Sequence, residues 1–172
     1  KLEEPATATY RGYTVYKAGF WIQGPALLQT LQILEGFRLA KMGIGSADAL
    51  HTIVEAIKLA FADRDRYYAD PAFATVPGAA LLSPNYAALR RTLIDPRRAS
   101  MDHRPGDPVG GAATLSSTAP LLTGEPDAEP GDTTSVQVVD REGNLFSATP
   151  SSGWLLGGAF VGLIAPNIFD TY

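Results

Sequence analysis

The apolar and polar positions in the first hundred residues predict one strand followed by three helices. Residues 10–17 mix aromatic and β-branched side chains and are typical of a short strand. A first helix is predicted from Gly24-Pro25, because Pro suits the first helical turn, to the glycine-rich break at residues 43–45. Its apolar side chains recur at helix spacing, at Leu27, Leu28, Leu31, Leu34 and Phe37.

Two further helices follow from capping residues and spacing. The second begins at Ser46, a favourable N-cap with Asp48 in the first turn, and ends at Asp70-Pro71. The third extends from Ser83-Pro84 to Asp95-Pro96. Their apolar stripes comprise Leu50, Ile53, Val54, Ile57, Ala60 and Phe61 in the second helix, and Tyr86, Leu89 and Leu93 in the third.

The pattern changes after residue 100. Residues 101–132 contain five Pro and five Gly without a sustained period, and predict a mobile loop. Residues 133–139 and 145–149 are β-rich runs separated by the turn at 140–144, which predicts a hairpin. Alternation places Thr134, Val136 and Val138 on one face of this hairpin, and Thr133, Ser135, Gln137 and Val139 on the other. The glycine-rich residues 150–172 predict neither a helix nor a strand.

Composition narrows the class of protein. With 172 residues, 45% hydrophobic and 19% charged, the chain suits one ordinary globular domain. The sequence contains no run of about 18 consecutive apolar residues, so no membrane-spanning helix is predicted. Residues 1–98 hold twelve basic and nine acidic side chains and residues 99–172 hold two and nine, without the basic stripe that nucleic-acid binding needs.

The candidate metal and charge motifs are weak. The chain has no Cys, which excludes disulfides and thiol catalysis. His51 and His103 are far apart in sequence, so no metal site and no cofactor are predicted. The adjacent charges Asp63 and Arg64 are interpreted as scaffold residues, either solvated or paired to a neighbouring element.

Several sequence stretches, and the order in which they follow one another along the chain, resemble those of gamma-glutamyltransferases of the N-terminal-nucleophile (Ntn) hydrolase superfamily. The resemblance covers residues 8–149 and implies an α+β fold with the layered αββα arrangement of Ntn hydrolases, incomplete in this chain. Among the matching stretches are Tyr10-Arg11-Gly12-Tyr13, Gly45-Ser46-Ala47-Asp48-Ala49, Phe61-Ala62-Asp63-Arg64, Asp132-Thr133-Thr134 and Asp140-Arg141-Glu142-Gly143-Asn144.

The resemblance implies a self-cleaving precursor. Residues 1–132 resemble the end of the large subunit and residues 133–172 the start of the small one, so cleavage would separate Asp132 from Thr133. Thr133 would then be the catalytic nucleophile. Its freed α-amine, with a pKa of about 8, would act as the base. The loop before it would supply the slack that cleavage requires. Supporting or substrate-binding roles fall to Thr134, Ser151, Asn167 and Asp170.

Two positions depart from the family pattern and leave the substrate open. Ser135 stands where family members carry His, and Gly153 where they carry a substrate-binding Asn. The expected activity is acyl transfer from γ-glutamyl compounds such as glutathione to water, an amino acid or a peptide. The alternatives are a related acylase, for example one acting on cephalosporin side chains, and a non-catalytic homologue that never cleaves.

The resemblance also sets expectations for the rest of the protein. Family members are longer, so this chain would act with the remainder of its polypeptide or with the processed subunits. The family's substrate-carboxylate Arg would precede Lys1 and its Gly-Gly oxyanion hole would follow Tyr172, so the 172 residues alone are expected to be inactive. Family members are commonly exported to the periplasm or secreted, which the sequence here does not decide.

Overall fold

The computed structural model describes residues 3–115 and 135–148. The chain divides into two compact units between Leu121 and Leu122. This division falls inside the predicted loop 101–132. Helices and strands both occur, which confirms a mixed helix and strand fold. No helix among the described residues combines the length and apolar character needed to cross a membrane.

The first element is a hairpin rather than the single strand predicted over residues 10–17. Strand β1 (Ala6–Tyr10) pairs antiparallel with β2 (Tyr13–Lys17). The two residues between them, Arg11 and Gly12, have φ of 52° and 84°. Positive φ at both central residues is the geometry of a two-residue type I′ hairpin turn, which Gly12 adopts without strain. The turn therefore splits the predicted strand.

Helix α1 (Gly24–Leu34) begins where Pro25 predicts, but it ends before the predicted break at residues 43–45. A separate short helix, α2 (Leu39–Met42), follows it. Arg91 Nε donates to the carbonyl of Ile33 at 2.8 Å and Nη2 to that of Gln32 at 3.0 Å. Carbonyls in the last turn of a helix lack partners within the helix, so this guanidinium caps the end of α1.

Helix α3 (Ala47–Tyr67) is the longest element and confirms the predicted second helix and its cap. Ser46 Oγ accepts from the Ala49 amide at 3.1 Å. Helix α5 (Pro84–Arg91), preceded by the short α4 (Gly78–Leu81), confirms the start of the third, and Ser83 Oγ caps it through the Tyr86 amide at 3.2 Å. It ends at Arg91, before the predicted end at Asp95-Pro96, so Leu93 lies outside the helix.

The buried face of α3 differs from the predicted stripe. Four side chains of that stripe are exposed, including Leu50 at 54% and Val54 at 50%. The helix instead buries a face of small and polar side chains, because alanines let α1 approach closely and the polar groups find buried partners. This face comprises Ala49, Thr52, Glu55, Ala56, Leu59, Ala60, Ala62 and Asp63.

Helices α1, α3 and α5 enclose the core of the first unit. Tyr10 and Phe37 pack against its edge. The buried apolar cluster consists of Ile33, Leu34, Ala56, Leu59, Ala87 and Ile94.

In the second unit, the predicted hairpin is confirmed for residues 136–148. Strand β3 (Val136–Val139) pairs antiparallel with β4 (Leu145–Ala148), with Val138 opposite Phe146. The turn is closed by Asp140, whose side chain accepts from both the backbone and the side-chain nitrogen of Asn144, at 2.8 and 2.7 Å.

Candidate functional site

The residues predicted to carry out catalysis lie outside the described residues. The structure describes the chain on either side of Asp132 and Thr133, up to Leu115 and again from Ser135, two positions after the predicted nucleophile. The undescribed residues of the predicted site are Asp132, Thr133, Thr134, Ser151, Asn167 and Asp170.

The downstream flank is the β3–β4 hairpin. Ser135, where the family pattern has His, is exposed immediately before β3. Large apolar side chains on both faces of the hairpin are uncovered in the described residues, with Val138 at 49% exposure and Val139 at 65%. Hydrogen bonds from the Asn144 side chain and backbone lower the pKa of the Asp140 carboxyl, which keeps it ionised as the acceptor that closes the turn.

The upstream flank, residues 100–115, is folded onto the helices and is not a free loop. Asp107 organises a tight turn by accepting from the amides of Val109 and Gly110 at 3.1 and 2.7 Å, and its backbone forms a bridge with Ala112. The Leu115 amide donates to the carbonyl of Pro105 at 2.7 Å. Only the remainder of the predicted loop, residues 116–132, lies outside the described part.

Arg90 of α5 holds this flank in place. Its side chain is completely buried and its Nη2 lies 3.2 Å from Asp63 Oδ1 on α3. Its guanidinium donates to the carbonyls of Arg104 at 2.6 Å and Ala113 at 2.5 Å, which are both in the flank, and of Leu59 at 2.9 Å. One buried cation therefore joins two helices to the chain ahead of the predicted cleavage bond.

Asp63 completes the anchor from the other side. Its Oδ1 accepts from the Gly106 amide at 2.9 Å and its Oδ2 from Gln29 of α1 at 3.2 Å. Burial raises the pKa of Asp63 above its usual range, and the charge of Arg90 and these hydrogen bonds oppose that rise. Tyr67 adds a third hold, because its hydroxyl donates to the Gly106 carbonyl at 2.8 Å.

A second buried carboxylate fixes the start of the flank. Glu55 Oε2 accepts from Arg104 at 2.9 Å, and its Oε1 accepts from Lys58 at 2.5 Å and from the Ser100 amide at 3.2 Å. Burial alone would raise the pKa of Glu55, but the hydrogen bond and charge of Lys58, together with Ser100 and Arg104, outweigh it and lower the pKa.

The adjacent charges Asp63 and Arg64 do not pair with each other. Asp63 pairs with α5, as the scaffold interpretation allowed, whereas Arg64 contacts Asp65 at 2.6 Å and Gln23 at 2.9 Å. Sequence reasoning missed the role of Glu55 and Arg90. Two carboxylates eight positions apart, on a helix face made mostly of alanines, were the available signal.

The buried hydroxyls described in α1 and α3 serve the helices themselves. Thr30 Oγ1 donates to the Ala26 carbonyl and Thr52 Oγ1 to that of Asp48, each at 2.8 Å and four residues earlier. The geometry of the described residues is thus that of a scaffold with an anchored segment leading toward residue 132.

Comparison with known families decides where this scaffold belongs. The sequence profile described as "Gamma-glutamyltranspeptidase" matches residues 1–163. The chain belongs to the gamma-glutamyltranspeptidase family. The match extends across both described units and across Asp132 and Thr133, so it includes the flanks described above and the junction between them.

Relatives in this family include acylases and glutathione hydrolases. The acylase ACY 1 proenzyme of Pseudomonas sp. (strain SE83) is 39% identical over 97% of this chain and 27% of its own length. The glutathione hydrolase proenzyme of Escherichia coli (strain K12) is 35% identical over 98% of this chain and 27% of its own length. The chain therefore spans about a quarter of the length of the gamma-glutamyltranspeptidase relatives that it matches.

The solved structures that the chain resembles include a gamma-glutamyltranspeptidase and an acylase. The structure of LmbA2991HD is 50% identical, with a TM-score of 0.73 over 89% of this chain and 26% of the other. The gamma-glutamyltranspeptidase of Helicobacter pylori is 30% identical, with a TM-score of 0.55 over 57% of this chain and 28% of the other. Cephalosporin acylase from Bacillus halodurans is 35% identical, with a TM-score of 0.55 over 61% and 19%.

Proposed function

We propose that the polypeptide carrying this chain is a self-processing acyltransferase of the gamma-glutamyltranspeptidase type. The observation that carries the proposal is the family match over residues 1–163, a range that includes Asp132 and Thr133. The relatives matched along nearly the whole chain are proenzymes, which supports cleavage of a precursor.

Self-cleavage would use the hydroxyl of Thr133. Its Oγ attacks the carbonyl carbon of Asp132, a C–O ester bond forms, and the C–N bond to Thr133 breaks as its nitrogen takes the proton. Water then hydrolyses the ester, which leaves a carboxylate on Asp132 and a free α-amine on Thr133. The parts before and after the bond would remain together as two subunits.

Turnover would use the same hydroxyl with the freed amine as its base. The α-amine accepts the Oγ proton as Thr133 attacks the substrate's amide carbonyl. It can act as a base because an amine with a pKa of about 8 is partly unprotonated at neutral pH. The acyl group passes to Oγ and the substrate's amine leaves with a proton. Water, an amino acid or a peptide then takes the acyl group from the ester.

The other predicted residues would assist at defined points. Thr134 and Ser151 would support the nucleophile by hydrogen bonding, and Asn167 and Asp170 would contact the α-amino group of a γ-glutamyl substrate such as glutathione. These roles follow from the resemblance and require side chains from the rest of the polypeptide.

The layered αββα arrangement is proposed on the same basis. An isolated two-stranded hairpin is only marginally stable in water, and the apolar side chains on both faces of the β3–β4 hairpin are exposed within the described residues. Such a hairpin is expected to join a larger sheet that other layers cover.

An acylase activity on a different amide is the second candidate. The acylase ACY 1 proenzyme is 39% identical to this chain, against 35% for the glutathione hydrolase of Escherichia coli. Gly153 also removes the amide side chain that the family pattern uses to bind a γ-glutamyl substrate. This candidate keeps Thr133 and its chemistry but changes the acyl group.

Intact mass and denaturing gels on the complete polypeptide test the proposal. We expect two fragments that separate between Asp132 and Thr133, and a single uncut chain for Thr133→Ala. Thr92→Ala is the matched control: this exposed Thr follows α5, outside the predicted site, and its variant should still cleave. A wild-type chain that stays uncut under all refolding conditions would support the non-catalytic alternative. A panel of γ-glutamyl anilide and cephalosporin side-chain amides would then separate the two activities.

A further inference from the structure

The hairpin of β1 and β2 has two outer edges, and a groove runs along the edge of β1. We propose that this edge receives an extended segment of the same polypeptide, from outside residues 1–172, which pairs with Thr7 and Thr9 as a third strand. The inference rests on the layered arrangement proposed above and names the place where that arrangement joins this chain.

The free backbone groups of β1 follow from the register of the hairpin. In a two-residue hairpin the residues that flank the turn, here Tyr10 and Tyr13, exchange both hydrogen bonds, and bonded and non-bonded pairs alternate from there. Thr9 and Thr7 therefore direct their N–H and C=O groups away from β2. These groups have no hydrogen-bond partner among the residues that the structure describes. They form the unused side of a strand ladder.

The groove beside this edge has a volume of about 370 Å³. Strand β1 and helix α1 form two of its sides, and the third consists of Leu82, Pro84 and Arg91. Leu82 is half-buried and Pro84 is exposed, so a strand laid along β1 would cover apolar surface on these two residues. The outer edge of β2 does not line this groove.

The charged side chains of the groove already have partners. Glu35 Oε2 accepts from the Arg11 amide at 3.1 Å, and Arg91 donates to the last carbonyls of α1. Gln32 Nε2 donates to the Leu82 carbonyl at 2.7 Å, while its Oε1 has no partner in the described part of the chain. The groove therefore offers mainly a row of backbone donors and acceptors. Such a row recognises an extended peptide backbone rather than a small charged ligand.

The segment is assigned to the rest of the polypeptide because of chain length. The acylase ACY 1 proenzyme matches 97% of this chain with only 27% of its own length, so most of a family-length polypeptide lies outside these residues. A free strand edge pairs readily with other chains, and proteins cover such edges. A segment of the same polypeptide has a high effective concentration at this edge, which a second copy lacks. Its side chains should alternate, with apolar ones directed at Leu82 and Pro84.

Hydrogen exchange of the complete polypeptide, read residue by residue, tests the pairing. We expect the amides of Thr7 and Thr9 to exchange at least about tenfold more slowly than those of Thr14 and Tyr16, which point outward from β2 in the same way. Equal exchange at the two edges would overturn the proposal. The uncleaved Thr133→Ala precursor can be measured in the same way. A polypeptide that never cleaves would thus count against the proposed function and not against the added strand.

Proline substitutions distinguish a paired edge from one that is only covered. Pro lacks an N–H group and is tolerated on a strand edge that faces solvent, but it removes a hydrogen bond from a paired strand. Thr9→Pro should therefore lower the midpoint of thermal unfolding of the complete polypeptide. Thr14→Pro is the matched control, because Thr14 lies directly opposite Thr9, and it should change the midpoint little. Equal shifts for the two variants would contradict the added strand, and the exchange measurement decides the matter if Thr9→Pro does not fold.

A photoreactive benzophenone side chain in place of the exposed Thr7 identifies the segment. Side chains directly opposite each other on neighbouring strands lie about 5 Å apart, within reach of this group. After irradiation of the complete polypeptide, mass spectrometry should find position 7 linked to a peptide from outside residues 1–172. A link to residues 116–172, or between two molecules, would overturn the assignment of the segment.

Discussion

Arg90 Nη2 lies 3.2 Å from Asp63 Oδ1, and neither side chain is exposed to solvent. Removing both charges from water is costly, and their mutual attraction offsets this only when further hydrogen bonds satisfy the remaining donors and acceptors. Here the backbone of residues 104–113 and Gln29 supply most of those bonds, although Arg90 Nε has no partner among the described residues. The pair therefore makes the stability of the helices and the position of the upstream flank depend on each other.

Asp63→Asn should destabilise the protein strongly. The substitution leaves the Arg90 cation buried without a counter-charge, for which we expect a loss of about 3–5 kcal/mol in the free energy of unfolding, measured by urea denaturation. Asp65→Asn is the matched control: Asp65 is 40% exposed in its pairs with Arg64 and His103, and its loss should cost about 1 kcal/mol or less. Equal effects of the two substitutions would contradict the buried ion pair.

Glu55 should make the protein less stable in acid. Its pKa is lowered below the ordinary value of 4.5, so the unfolded state binds more protons between the two pKa values. Its contribution is thus present above pH 4.5 and is lost as pH falls through the folded-state pKa. In urea unfolding series from pH 6 to 3, Glu55→Gln should show a smaller acid-side decrease than wild type.

The two apolar faces of α3 should differ in their sensitivity to truncation. Leu59 is 1% exposed and lies in the core cluster, so Leu59→Ala should cost about 2–5 kcal/mol by removing buried contacts and leaving a cavity. Leu50 is 54% exposed, and Leu50→Ala should change the unfolding free energy by about 0.5 kcal/mol or less. The reverse order would restore the face predicted from periodicity.

The N-cap of α3 should contribute measurably. Ser46→Ala removes the acceptor of the Ala49 amide and should cost about 1 kcal/mol. Ser46→Asp keeps an acceptor and places a negative charge at the helix N-terminus, so it should retain wild-type stability. Thermal and urea unfolding of both variants provide the comparison, and a stable Ser46→Ala protein would mean that the cap is not used.

Local signals predicted the elements of this fold well. Ser46 and Ser83 predicted two helix starts, and the turn at residues 140–144 predicted the second hairpin. They failed where a distant side chain decides the outcome. Helix α1 ends at Leu34, where the Arg91 guanidinium donates to the carbonyls of its last turn. The spacing of apolar residues carries no information about that contact.

The buried face of α3 shows the same limit of periodicity. Leu50 and Val54 lie on one face and Ala56 and Leu59 on another, so the helix has two apolar sides and its partners determine which is buried. Glu55 and Asp63 would be costly on a buried face without partners, and Arg104 and Arg90 supply these partners.

The candidate site was predicted by resemblance and not by pattern. A Thr at the start of a β-rich run is common, and only the order of motifs around it pointed to Thr133. The structure adds the two segments that flank Asp132 and Thr133. The predicted site side chains lie outside the described residues, and the chain matches only 27% of the length of the acylase ACY 1 proenzyme.

The exposed stripe of α3, formed by Leu50, Val54, Ile57 and Phe61, has a practical consequence for purification. If the 172 residues were expressed by themselves, neighbouring molecules could associate through this exposed apolar stripe and through the exposed apolar side chains of the hairpin. Such material is expected to bind hydrophobic dyes and to precipitate at concentrations where longer polypeptides of the family stay dispersed. Assays of isolated fragments should therefore be accompanied by light scattering, since loss of activity in an aggregated sample says nothing about the catalytic residues.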